Sequence, residues 1–159
     1  MAIVITNERP DSDLASELIA ELEAHLTPLY PDESRHGYSV EKLLQEGVAF
    51  FVIHYNEQPA GCGGVQLFGS EYAEIKRMYV RPALRGLGLG KLMVNHLETY
   101  VRNHGIRVLR LETGVHQGEA IRLYERMGFK AIGPFGTYRD DPLSRFYEKE
   151  IWTPQINYT

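Results

Sequence analysis

The glycine run Arg85-Gly86-Leu87-Gly88-Leu89-Gly90-Lys91 sets the strongest limit on this chain, because it joins an extended segment directly to an amphipathic one. The preceding segment, Glu74 to Val80, has strand character and leads through Arg81-Pro82 into the run. After it, Leu89, Leu92, Met93, His96, Leu97, Tyr100, Val101 and His104 recur at three- and four-residue steps, and Gly105 follows as a helix stop. Alternate glycines let the main chain approach a ligand closely and turn its N–H groups outward. They stand where the positive end of the helix dipole attracts an anion, with Arg85 and Lys91 as flanking cations. The combination predicts a phosphate site, best matched by a pyrophosphate.

Other phosphate loops fit less well. A Walker loop places Ser or Thr after its lysine to hold magnesium, whereas Leu92 follows Lys91. A dinucleotide fingerprint reads G-x-G-x-x-G after a buried apolar strand, whereas this loop reads G-x-G-x-G. The strand before it, Glu74-Ile75-Lys76-Arg77-Met78-Tyr79-Val80, alternates polar and apolar residues, which predicts exposure on part of one face. Glu112 lies at the spacing of a ribose-binding acid, so a nucleotide site stays open as an alternative, as does a plain tight turn.

The same residues resemble the GNAT superfamily of N-acetyltransferases. Arg85, Gly88 and Gly90 match its Gln/Arg-x-x-Gly-x-Gly/Ala acetyl-CoA loop, and Val80-Arg81-Pro82 matches the Val-x-Pro strand ending that leads into it. A second motif, approximately Asn-x-x-Ala-x-x-Leu-Tyr-x-x-x-Gly-Phe, is matched downstream by Gln117, Ala120, Leu123, Tyr124, Gly128 and Phe129, with Gln117 in place of the usual Asn. The resemblance is to a small GNAT of bacterial type and spans residues 2 to 151. It implies acetyl-CoA as cosubstrate and no metal. The implied cofactor-binding residues are Met78, Tyr79, Val80, Arg85, Gly86, Leu87, Gly88, Leu89, Gly90, Lys91, Gln117 and Tyr124. It also implies that the pantetheine arm runs along the strand at Met78 and Val80, where the sheet must open, and that a strand N–H near Met78 polarises the carbonyl.

The element order is strand (Ala2 to Ile5), helix (capped by Asp11 or Ser12, with a stripe of Leu14, Leu18, Leu22 and Leu26), and short helix (Val40 to Glu46). Strands at Val48 to Tyr55 and Gln58 to Phe68 then form a hairpin at Asn56-Glu57, followed by strand Tyr72 to Val80 and helix Leu89 to His104. Strand Arg107 to Thr113, helix Glu119 to Met127, and strands Lys130 to Gly133 and Arg145 to Ile151 complete it. This succession predicts an α/β (α+β) fold with a mixed sheet of about seven strands and four helices on its two faces. The resemblance implies the same order and a mostly antiparallel sheet.

At 159 residues the chain is expected to form one domain over 1–159, with 151–159 as a C-terminal tail. Cys62 is the single cysteine and no secretory leader is visible, which points to a reducing, cytoplasmic setting. Set between Gly61 and Gly63, Cys62 reads as a small buried residue rather than a nucleophile. No apolar run approaches the ~20 residues that cross a bilayer, so no membrane partner is expected. The formal charge of −4 argues against nucleic acid and suits a cationic acceptor. The six histidines are scattered, so no metal is expected.

Acetyl transfer to an amine requires a neutral amine, a polarised thioester carbonyl and a proton for the departing thiolate. An alkylammonium of pKa ~10.4 carries its proton ~3.4 units above neutrality, a cost of roughly 4.6 kcal/mol before attack. Glu74 is the candidate base: strand alternation puts it on a face with Lys76, Met78 and Val80, at the end far from the glycine loop. Its alternative is a solvated residue or a partner of Lys76 or Arg110. The resemblance gives Tyr124 the role of protonating the CoA sulfur, for which a phenol, neutral at pH 7, is suited. The alternative there is a core tyrosine.

Acceptor choice falls to loops: Tyr30, Arg35, His36 and Tyr38, then Phe68 to Tyr72, then Tyr138 to Asp141. Asp140 and Asp141 suit an amine, and Arg35 or Arg139 a carboxylate. A small-molecule amine is favoured over a protein because no long charged docking stripe is visible. The resemblance allows a homodimer, which no residue establishes. The competing reading is a catalytically silent acyl-CoA-binding sensor or regulatory module.

Overall fold

Strand β2 (Ala49–Tyr55) shows why the sheet must be covered on both sides. Its alternating residues are apolar in both sets: Phe50 and Val52 face one core, Phe51 and Ile53 the other. In the computed structural model, which describes residues 2–151, helices supply both covers. On one face lie α1 (Asp13–Leu26) and α2 (Val40–Gln45); Ala15, Leu18, Ile19 and Leu22 pack with Leu43 onto Phe50, Val52 and Cys62. On the other lie α3 (Leu89–Asn103) and α4 (Gly118–Arg126), where Met93, Val94, Leu97 and Val101 meet Ile53, Ile75, Leu109 and Leu111. Burying side chains of this size stabilises the fold by about 1.5–3 kcal/mol each relative to exposure.

The remaining strands are β1 (Ile3–Glu8), β3 (Gln58–Phe68), β4 (Tyr72–Val80), β5 (Val108–Gly114), β6 (Lys130–Ile132) and β7 (Ser144–Glu150). They form one sheet in the order β1-β2-β3-β4-β5-β7-β6. Among the described residues only β4 and β5 are parallel neighbours; every other pair is antiparallel. The expected mixed, mostly antiparallel sheet of seven strands with four helices is present. β1 is longer than its sequence pattern suggests, because pairing with β2 continues to Glu8 opposite Phe50. The tail from residue 152 onward lies outside the described residues.

Local signals account for the element ends. Ser12 caps α1 by accepting a hydrogen bond from the Ala15 N–H at 3.1 Å. We expect Ser12→Ala to lower stability by about 1 kcal/mol, measured as a shift of the urea midpoint at unchanged slope. Asn56 and Glu57 both take left-handed conformations, φ 49° and 68°, which match a two-residue hairpin turn to the twist of β2 and β3.

Strand β4 departs from its sequence pattern. Its polar residues are buried rather than partly exposed: Glu74, Lys76 and Arg77 are 3 %, 6 % and 9 % exposed. Partners from distant segments cover them, Glu23 on Arg77 and Tyr38 and Tyr138 on Lys76, and a bulge interrupts the strand's alternation. Pairing with β3 slips between Cys62 and Gly64, and Arg77 adopts φ 53°. Ala73 and Ile75 point into the α3 core before the bulge, and Met78 and Val80 after it. The extra residue therefore reverses the alternation, so Glu74 and Lys76 lie on the opposite face from Met78 and Val80. Cys62 supports the bulge, its thiol donating to the Arg77 carbonyl at 3.3 Å. Burial pushes that thiol up to about 12, so it stays protonated and unreactive at neutral pH.

Candidate active site

The sheet opens between β4 and β5 just ahead of the bulge. β4 and β5 pair only at Ala73 with Leu109 and Glu74 with Arg110, after which they no longer pair with each other, though β4 stays on β3 to Val80 and β5 on β7 to Gly114. The gap becomes a cleft of about 680 Å³ lined by Met78, Tyr79 and Val80 from β4, the loop before α3, Ala120, Leu123 and Tyr124 from α4, and Gln117 and Met127 at the ends of α4. An unpaired strand edge of this kind can bind an extended chain through its main-chain groups.

At one end of the cleft the loop presents its amides. Gly86 and Gly88 take φ 82° and 79°, a region that favours glycine. Among the described residues, none of the main-chain N–H groups from Gly86 to Lys91 donates to another backbone group; the α3 ladder starts with Leu92 N–H to the Gly88 carbonyl at 3.1 Å. Arg85 is tied to the Val80 carbonyl at 3.0 Å, and Lys91 and Arg126 stand on the rim. Free N–H groups at a positive helix end, ringed by cations, suit a diphosphate. A Cβ on Gly90 would meet Leu123 Cδ2 at 3.0 Å, so α4 packs directly on this loop.

At the other end the cleft adjoins a second, smaller cavity of about 120 Å³ beneath α1. Leu22, Met78, Gln117, Ala120 and Tyr124 line both, so the two meet at Tyr124. The Tyr124 ring packs edge-on against Phe129, with centroids 5.5 Å apart. Burial raises its phenol well above the ordinary tyrosine range, which keeps the proton on oxygen at neutral pH. Tyr30 closes one side: its hydroxyl accepts from the His116 N–H at 2.9 Å and donates to Gln117 Oε1 at 3.3 Å. The ring fits only because residue 114 is glycine, where a Cβ would overlap it.

Glu112 on β5 also lines the smaller cavity. Burial pushes its carboxyl up to about 7; the Ser144 hydroxyl, donating at 2.8 Å, opposes this, and nearby Glu74 adds to it. A carboxyl poised there exchanges protons readily at neutral pH. Glu74 lines neither the cleft nor the smaller cavity. Its Oε2 accepts from Tyr138 at 2.5 Å and from Lys76 Nζ at 2.9 Å, while Arg110 pairs with Glu148 instead. Burial lowers the Lys76 ammonium, with Glu74 opposing that shift, and Lys76 Nζ sits 3.9 Å over the Tyr38 ring.

The structure thus brings Met78, Tyr79, Val80, Arg85, Gly86, Gly88, Leu89, Gly90, Lys91, Gln117 and Tyr124 to one cleft. Leu87 points outward, 44 % exposed, and Glu74 lies outside both linings, on the α1 face of the sheet with Arg110. Tyr30, Arg35 and His36 gather at the smaller cavity, as does Arg77, whose place there has no signal in the sequence. Glu112 was legible only as a ribose-binding acid, since its neighbours Ser144 and Glu74 are remote along the chain.

Residues 14–129 match the model of the acetyltransferase (GNAT) family. An IAA acetyltransferase of Azospirillum brasilense is 39 % identical over 150 residues, covering 94 % of this chain and 98 % of that protein. A crystal structure of a candidate acyl-CoA N-acyltransferase from Klebsiella pneumoniae superposes with a TM-score of 0.81 at 35 % identity, covering 94 % and 98 % of the two chains. The PaiA N-acetyltransferase of Thermoplasma acidophilum, solved with coenzyme A, shares the fold at a TM-score of 0.73, 23 % identity and 94 % and 99 % coverage. Such relatives lend no support to a catalytically silent module. Among the described residues no helix is long and apolar enough to cross a membrane. Matched to the family model over most of its length and aligned end to end with a named acetyltransferase, this chain belongs to the GNAT family and is an acetyl-CoA-dependent N-acetyltransferase.

Proposed function

We propose that the enzyme acetylates the primary amine of a small molecule by direct attack in a ternary complex. In this reading Tyr124 is the acid for the sulfur, and Glu112 accepts the ammonium proton. The carrying observation is the shared wall: one buried tyrosine stands where a cleft with a free amide rack meets a cavity that holds a near-neutral carboxyl. Acetyl-CoA supplies the activated thioester, its diphosphate suited to the amides of Gly86 to Lys91 and its pantetheine arm to the open β4 edge.

The chain's residues then move the protons. Glu112 takes one from the acceptor ammonium. The freed amine lone pair forms the C–N bond to the acetyl carbon as the C–S bond breaks. Tyr124 gives its proton to the sulfur, and the second proton lost from nitrogen restores the phenol. Glu74, the carboxylate that strand alternation nominated, is held by Tyr138 and Lys76 behind the bulge. We assign it an electrostatic part, helping to keep Glu112 basic. The compact cavity favours a small acceptor over a protein segment.

The test is thiol release from acetyl-CoA with a panel of small primary amines, followed against pH. A base works when deprotonated, so kcat/KM of the wild type should rise through about 7 and then level. Glu112→Gln should lose that limb and fall by roughly 10²–10⁴-fold. An unchanged limb and rate in Glu112→Gln would remove Glu112 from the mechanism.

A further inference from the structure

The smaller cavity carries more donors than its chemistry with an amine requires. Arg35, His36 and Arg77 all line it, and the buried atoms Arg35 Nε, His36 Nε2 and Arg77 Nε have no hydrogen-bond partner among the described residues. Buried unpaired polar atoms are destabilising, and two guanidinium N–H donors with an imidazole nitrogen around one small space are unusual in a native fold. The two guanidinium groups share one carboxylate of the lining: Glu23 accepts from Arg77 Nη2 at 2.7 Å and from Arg35 Nη1 at 3.4 Å. The other acid on Arg35, Asp32, is 89 % exposed. The nearest acid to His36 Nε2 is Asp141, 3.9 Å away.

Arg77 is placed there at a cost. Its side chain is only 5 % exposed, and its left-handed backbone (φ 53°) is strained in a residue with a Cβ. The Gly37 main chain presses against its guanidinium so closely that a Cβ there would overlap Nη1. The bulge, the glycine and Glu23 together hold a cation beside the cavity with donor capacity left over. A planar fork of this type is complementary to a carboxylate.

We propose that the acceptor is a small amino-carboxylate, whose carboxylate is received by Arg35, Arg77 and His36 while its amine lies toward Glu112 and Tyr124. This rests on the acetyltransfer reading above for the amine end and, for the carboxylate end, on the two unpaired guanidinium N–H donors, with the His36 Nε2 beside them donating in its Nε2–H form. An amine alone would leave those donors unsatisfied and would face two arginines.

The experiment uses matched sets: α-, β- and γ-amino acids, each with its carboxamide and its decarboxylated amine. Each is titrated calorimetrically into the full-length protein saturated with CoA, and each is assayed for thiol release with acetyl-CoA. In at least one set the free acid should bind about tenfold or more tighter than both partners. Arg35→Met should erase that difference and leave CoA affinity unchanged; Arg35→Lys should restore part of it. Arg77→Lys is the second variant, expected to act likewise if it folds. Carboxamides or plain amines that bind as well as every acid, or no acid that binds at all, would overturn the inference. Turnover of plain amines alone would overturn it and leave the acetyltransferase reading standing. Acids that bind with no thiol release from any member would instead fault the assigned chemistry.

Discussion

Replacing Tyr124 with phenylalanine is expected to lower turnover by about 10²–10⁴-fold while CoA affinity stays within about twofold of the wild type. The variant removes one oxygen and its proton. The ring keeps its packing against Phe129 and its place in the α3–α4 core, so the fold and cleft walls persist. The loss should therefore fall on kcat, since the phenol's contribution grows as charge develops on sulfur and is small in the ground state. Steady-state kinetics with a fixed acceptor, beside calorimetry with CoA, separates the two terms. A Tyr124→Phe enzyme at the wild-type rate would show that the departing thiolate takes its proton elsewhere. A large loss of CoA affinity would show that the hydroxyl serves binding instead.

Much of the fold follows from local patterns. The α3 stripe of Met93, Leu97 and Val101, the stop at Gly105 and the left-handed turn at Asn56-Glu57 need only neighbours within a few positions. β3 and β4 have the bounds their patterns suggest for the same reason. The bulge at Arg77 is different. A left-handed arginine carries no local mark, whereas glycine or asparagine there would. It depends on Cys62 across the sheet, Glu23 on α1 and the bare main chain at Gly37. Because the bulge reverses the alternation, strand periodicity placed Glu74 beside Met78 when the structure sets them on opposite faces.

The site divides in the same way. The amide rack and Tyr124 belong to contiguous motifs and were visible as such. The acceptor cavity is assembled from α1, the segment around Arg35 and His36, β4 and β5, and its decisive properties arise only from that assembly. Glu112 becomes a near-neutral carboxyl through burial, with Ser144 and Glu74 adjusting it, and no spacing along the chain announces this. Polar residues of β4 are buried for a similar reason, since their partners Glu23, Tyr38 and Tyr138 come from distant segments.

The second large effect is expected at Gly90. Its φ is not in the left-handed region, so a side chain is allowed by the backbone, and a Cβ would displace only the flexible end of Leu123 by a few tenths of an ångström. Aspartate in the first turn of a helix is favourable to the helix itself, by about 0.3–1 kcal/mol. The same charge would face the diphosphate across the rack that Gly86 to Lys91 form. Gly90→Asp therefore separates folding from binding: the protein should melt near the wild-type temperature while losing its nucleotide-thiol ligand.

Calorimetric titration of coenzyme A into wild type and Gly90→Asp, with thermal melts of both, tests the proposed anchor most directly. We predict an affinity weakened by about 100-fold or more, roughly 2.7 kcal/mol, in a variant that remains folded. Equal affinities in two folded proteins would contradict the assignment of the α3 loop as the grip on coenzyme A.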